Sequence, residues 1–129
     1  MRIFALRIKP NQDLKVELKK FTVENDLRAG FILTTVGSLK KAELRLANQK
    51  ESKSFNENFE IISLVGTLCR DGLHLHIGLA NAKGQVIGGH VEEGCIVYTT
   101  AEIVLGESTN HTFSRVLDPE TDFYELEMK

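Results

Sequence analysis

From Gly30 onward the chain is a succession of strand-like runs punctuated by glycine, and this limits the possible folds more than any other feature. Phe31 to Val36 is rich in β-forming residues and ends at Gly37-Ser38, while Ala42 to Ala47 alternates Leu44 and Leu46 with Glu43 and Arg45. Phe59 to Cys69 reads as a long strand broken or bulged at Gly66. The tight-turn signal Arg70-Asp71-Gly72 then leads into Leu73 to Leu79. Asn81-Ala82-Lys83-Gly84 marks another turn before a short strand, Gln85 to Gly88, and Gly88-Gly89 reads as a break. Cys95 to Leu105 is the strongest strand signal. Phe113 to Leu117 and Phe123 to Met128 are expected to finish the sheet on either side of Asp118-Pro119-Glu120. The polar stretch Asn48 to Asn58 reads as a mobile loop.

Ahead of this run, Met1 to Ile8 alternates apolar and polar residues as a strand does and stops at Lys9-Pro10-Asn11. Asp13 to about Asn25 reads as the one helix, with Asn11 as its expected N-cap. Leu14, Leu18 and Phe21 form one stripe, and Val16 and Val23 lie on roughly the opposite side. The valines are either ordinary surface residues or a second face turned toward a subunit neighbour. One helix with many antiparallel strands is an α+β fold, a strongly bent, half-barrel-like sheet, and residues 1–129 read as a single domain without repeat or linker.

A chain of 129 residues can bury a core without staples, and 42% hydrophobic with 26% charged residues is a soluble globular composition. A formal net charge of −2 supplies no global field for nucleic acid or anionic lipid. Lys19-Lys20, Arg28 and Lys40-Lys41 are the only basic clusters. No apolar run approaches the roughly 20 residues of a membrane span, and the charged N-terminus reads as a strand rather than a signal peptide. Two cysteines, Cys69 and Cys95, without a Cys-x-x-Cys motif make a disulfide framework unexpected and a cytoplasmic location the default.

Three of the four histidines fall between positions 74 and 90. His74 and His76 have the i, i+2 spacing that puts two imidazoles on one face of a strand, about 7 Å apart along it. His90 follows Gly88-Gly89, where glycine permits close backbone approach and can re-aim the next side chain. Three imidazoles with a position left open form a zinc-type site; nickel, copper, iron or cobalt also accept such ligands. A cupin would begin with the same His-x-His but needs a glutamate soon after, and Ile77-Gly78-Leu79-Ala80-Asn81 has none. Cys95 reads as a small buried hydrophobe at a strand start. His111 is expected on an exposed turn.

The segments Phe59–Thr67, Gly72–Asn81, Gly84–Val91 and Gly94–Ile103, taken in this order, resemble the PPC (plants and prokaryotes conserved) domain, and the likeness extends over the whole chain. The resemblance implies an α+β sheet domain with one main helix, assembled as a homotrimer, with a metal, usually zinc, on the histidines matching His74, His76 and His90. A trimer would favour the second reading of the helix valines. In plants the domain follows an AT-hook segment in nuclear DNA-binding proteins, but this sequence contains no Arg-Gly-Arg-Pro core. The expected role is therefore binding, of a metal with a small ligand or of partner proteins, with DNA-associated regulation as an alternative. A further alternative is a metal-dependent hydrolase-like enzyme in which Glu102, within the matched Thr-Thr-Ala-Glu run, or Glu92 serves as the base. The bland reading of Glu92 is a salt-bridge partner.

Overall fold

The computed structural model describes all of residues 1–129. Its elements are β1 (Arg2–Ile8), α1 (Leu14–Glu24), β2 (Gly30–Arg45), β3 (Ser52–Phe55), β4 (Phe59–Cys69), β5 (Gly72–Ala80), β6 (Val86–Val91), β7 (Ile96–Glu107), β8 (Phe113–Asp118) and β9 (Phe123–Met128). Seven of the strands form an antiparallel sheet in the order β1-β7-β2-β4-β5-β6, with β3 attached to β2. β6 also pairs with the far end of β2 through Leu44↔Val91 and Arg45↔His90, closing β2, β4, β5 and β6 into a ring. The α+β fold with a bent antiparallel sheet and one helix is thus as expected, and the bend goes as far as partial closure.

Ring closure follows from the alternation along the strands. On β5, Leu75, Ile77 and Leu79 are buried, and on β6 so is Val91, while the even-numbered residues face outward. The core these side chains enter contains 20 buried residues, among them Leu39, Leu44, Leu64, Val97, Ile103 and Leu105. Helix α1 seals it with Leu14, Leu18 and Thr22, each fully buried, while Phe21 meets Phe4 edge-to-face at 5.8 Å. Val16 and Val23 are exposed on the other side.

Several boundaries differ from the sequence expectation for identifiable reasons. The N-cap is Asp13 rather than Asn11: Asp13 Oδ1 accepts the Val16 N–H at 3.1 Å, and Oδ2 accepts the Gly94 N–H at 2.6 Å. Asn11 instead adopts φ 69° in the turn after β1. The two strands expected around Gly37 are one strand, β2. Its register shifts against β7 absorb the bend, and Gly37 lies so close to β7 that a Cβ would fall 2.1 Å from the Thr100 carbonyl oxygen. The Asn48–Asn58 stretch is not all loop, since Ser52–Phe55 pairs with β2. In β4 the irregularity lies between Ile61 and Ser63, and the ladder runs unbroken through Gly66. Gly88-Gly89 is not a break but the middle of β6. β8 and β9 form a separate two-stranded sheet instead of completing the main one.

Candidate metal centre

Two strand registers bring the three histidines together. His76 on β5 lies directly opposite His90 on β6, and His74 lies two residues from His76 on the same face. The strands approach closely because Gly88 and Gly89 have no side chains. A Cβ on Gly88 would sit 2.6 Å from the Ile77 carbonyl oxygen, and one on Gly89 would sit 2.9 Å from that of Arg45. Ring centroids are 5.0 Å apart for His74–His76, 5.1 Å for His74–His90 and 5.7 Å for His76–His90.

One nitrogen from each ring lies within 4.8 Å of the others. His74 Nε2 and His76 Nε2 approach to 3.2 Å. Two nitrogens bound tetrahedrally at zinc–nitrogen distances are about 3.3 Å apart, so this pair already has nearly the required separation. His90 Nδ1 is buried and has no hydrogen-bond partner in the chain, an arrangement that is costly unless something else satisfies it. The other ring nitrogen, Nε2, is 3.7 Å from Glu92 Oε1, an ion-pair distance too long for a hydrogen bond. The residues thus fit a divalent transition metal.

Electrostatics keep two of the rings in the ligand form. Burial, with Arg45, His74, Lys15 and His76 adding to it, lowers the His90 pKa to about 4. Burial first, then Arg115, His76 and Arg45, also lowers the His74 pKa, partly opposed by Glu125. A neutral imidazole is what a metal ion binds, so there is little proton competition to overcome at these two positions.

Glu92 lies beside the cluster, but it is held between Lys15 at 3.8 Å and Arg45 at 3.7 Å, the salt-bridge role foreseen for it. Glu102 is not brought to the histidines. It lies on β7 opposite Val36, nine residues along β2 from the Arg45 that faces His90, and its carboxylate accepts from Thr100 Oγ1 at 3.3 Å. Cys95 is fully buried, and its pKa is raised to about 11, mainly by that burial. Both cysteines are free and buried. His111 is exposed, 2.7 Å from Ser108 Oγ through Nδ1.

Arg45, Arg115 and Glu125 were not singled out in the sequence, yet they surround the cluster. With His74, His90, Asp71, Phe123 and Tyr124 they line a cavity of about 690 Å³. They come from β2 and the β8–β9 hairpin, and only long-range pairing brings them here; Arg45 merely continues the polar alternation of its strand.

The model of the Plants and Prokaryotes Conserved (PCC) domain covers residues 1–109, and the chain belongs to that family. Over all of its 129 residues the chain is 50% identical to the bifunctional protein GlmU of Synechococcus sp. (strain JA-3-3Ab), but it spans only 21% of that protein's length. Among solved structures, a hypothetical protein from Salmonella cholerae-suis superposes with a TM-score of 0.97 at 41% identity, over 99% of this chain and 93% of the other. A metal-containing protein from Archaeoglobus fulgidus superposes with a TM-score of 0.80 at 25% identity, over 98% and 94% of the two chains. No helix is long and apolar enough to cross a membrane.

Proposed function

We propose that this PPC domain is an oligomeric binding module in which His74, His76 and His90 hold a divalent transition metal, zinc first, with an open position facing a small ligand. The observation that carries this reading is the convergence of one nitrogen from each of the three rings to within 4.8 Å, and His90 Nδ1, buried without a partner in the chain, supports it. The Archaeoglobus relative described as metal-containing supports it. That a near relative of the domain makes up about a fifth of a larger bifunctional protein fits a module that binds. Glu92 is paired on both sides and Glu102 lies elsewhere, so neither of the two carboxylates read as a base is placed to act as one, and binding is favoured over hydrolysis. The basic clusters do not favour DNA: Arg28 pairs with Asp26 at 3.5 Å, and Lys19 and Lys20 share their hollow with Glu24 and Glu93.

Elemental analysis of protein purified without a histidine tag tests the site. About one equivalent per chain is expected, with loss in His74→Ala or His90→Ala, because each removes one of only three ligands. Protein that takes up no zinc, cobalt or nickel on titration overturns the reading. Assembly as a homotrimer would cover the exposed α1 valines, Val16 and Val23. Light scattering on a sizing column checks it, and a monomer at working concentration refutes it.

A further inference from the structure

The β8–β9 hairpin stands outside the residues matched by the family model, yet it closes one side of the cavity beside the histidines. It is tied down by the Phe113 N–H donating to Arg28 O at 2.8 Å and the Arg115 N–H donating to Asp71 Oδ2 at 3.1 Å. Arg115 Nη2 donates to Thr67 Oγ1 at 2.6 Å, and Thr67 lies opposite His74 in the β4–β5 register. The guanidinium is therefore fixed beside the imidazoles. No carboxylate lies within 4 Å of it, unlike the pairs formed by Arg2, Arg28, Arg45 and Arg70. Its remaining donors face a cavity whose volume suits a small molecule.

The charges around this cavity are mixed. Arg45 enters from β2, Asp71 spends one oxygen on the Arg115 amide, and Glu125 accepts from Thr121 Oγ1 at 3.3 Å. Phe123 and Tyr124, 61% and 68% exposed, give the rim flat apolar surface. We propose that this cavity seats a small organic anion, a carboxylate or phosphate ester on a planar apolar body, with its charged end on Arg115. The open position of an ion on the histidines would supply a second contact. The inference rests on the metal-site reading for that contact alone.

Isothermal titration with benzoate and with phenyl phosphate tests the proposal, on zinc-supplemented and on EDTA-treated protein. Saturable binding of at least one probe is expected, and which one binds tells carboxylate from phosphate. Arg115→Gln should weaken it at least about tenfold, the usual size of a lost charge-assisted hydrogen bond. Zinc content should be unchanged, and Arg115→Lys should fall between the two. If Arg115→Gln lowers the melting point too far to titrate, Arg115→Lys decides, because it keeps the charge but loses the fork. Absence of saturable binding of either probe, or equal affinity in the decisive variant, overturns the inference. If the protein takes up no zinc but still binds a probe in an Arg115-dependent way, the metal reading fails and the anion seat stands.

Discussion

Replacing His90 with glutamine should remove part of the protein's acid sensitivity. The folded-state pKa of His90 is held at about 4, against an ordinary 6.5, mainly by burial. Between these values the unfolded chain takes a proton that the folded chain refuses. Stability is therefore complete above pH 6.5 and is lost progressively as pH falls toward about 4. At 1.36 kcal/mol per pH unit the whole interval corresponds to about 3 kcal/mol; solvent that still reaches the ring, whose side chain is 18% exposed, reduces this to about 2 kcal/mol. Urea unfolding at about pH 7 and about pH 4.5, in EDTA and at one fixed protein concentration, measures it. The wild type should lose about 2 kcal/mol more than His90→Gln over that range, because glutamine has no proton to gain. His74, lowered in the same direction, stays in both proteins and keeps the variant from being pH-independent. Equal losses in the two proteins, or a His90 imidazole that titrates near 6.5 by NMR, would refute the burial argument.

Other expected outcomes concern the frame that carries the site. Gly37→Ala should cost more than about 2 kcal/mol, since its Cβ would meet the Thr100 oxygen and the Ala101 Cα of a neighbouring strand. Gly84→Ala, at φ 75° with nothing within 4 Å, should cost only about 1 kcal/mol, and a reversed order of melting points would contradict the packing. Leu44→Ala, fully buried where the ring closes, should destabilise by about 3 kcal/mol in chemical denaturation, and a loss below about 1 kcal/mol would mean the core is looser than described. Glu107→Ala should cost about 2 kcal/mol, because the carboxylate accepts both the Arg28 N–H at 2.8 Å and the Arg2 guanidinium at 3.1 Å; an unchanged melting point would show that water replaces it freely.

The three imidazoles were legible because strand periodicity is local: i, i+2 spacing puts His74 and His76 on one face whatever the rest of the chain does. His90 was legible through its glycines: the close backbone approach read there is present, but inside a continuous strand and not at a break. Gly88 and Gly89 do not interrupt a strand; they let one run flush against two neighbours. Arg115 and Arg45 carried no such signal, since an isolated arginine in an alternating strand looks like any solvated residue until pairing places it. The two strands of the hairpin were legible but were read into the main sheet, because nothing local distinguishes a strand that joins a large sheet from one that pairs with its neighbour alone. Asn11 was read as the cap because asparagine and aspartate cap helices about equally well, and the distant Gly94 amide, reaching Asp13, marks the difference between them.

The ring is fastened unevenly. Nine register pairs join β4 to β5 and five join β5 to β6, whereas β6 meets β2 at only two, Leu44↔Val91 and Arg45↔His90. Thermal breathing should therefore begin at this short seam, and the Glu92 amide, which bridges it by donating to the Glu43 carbonyl at 3.1 Å, should exchange with solvent faster than amides in the β4–β5 ladder. An ion on His74, His76 and His90 would lash β5 to β6, strands already well joined, and leave the seam free to part. A molecule gripping Arg45 as well as the histidines would span it. Such an occupant would act as a clasp, and slowed exchange of the Glu92 amide would report its arrival.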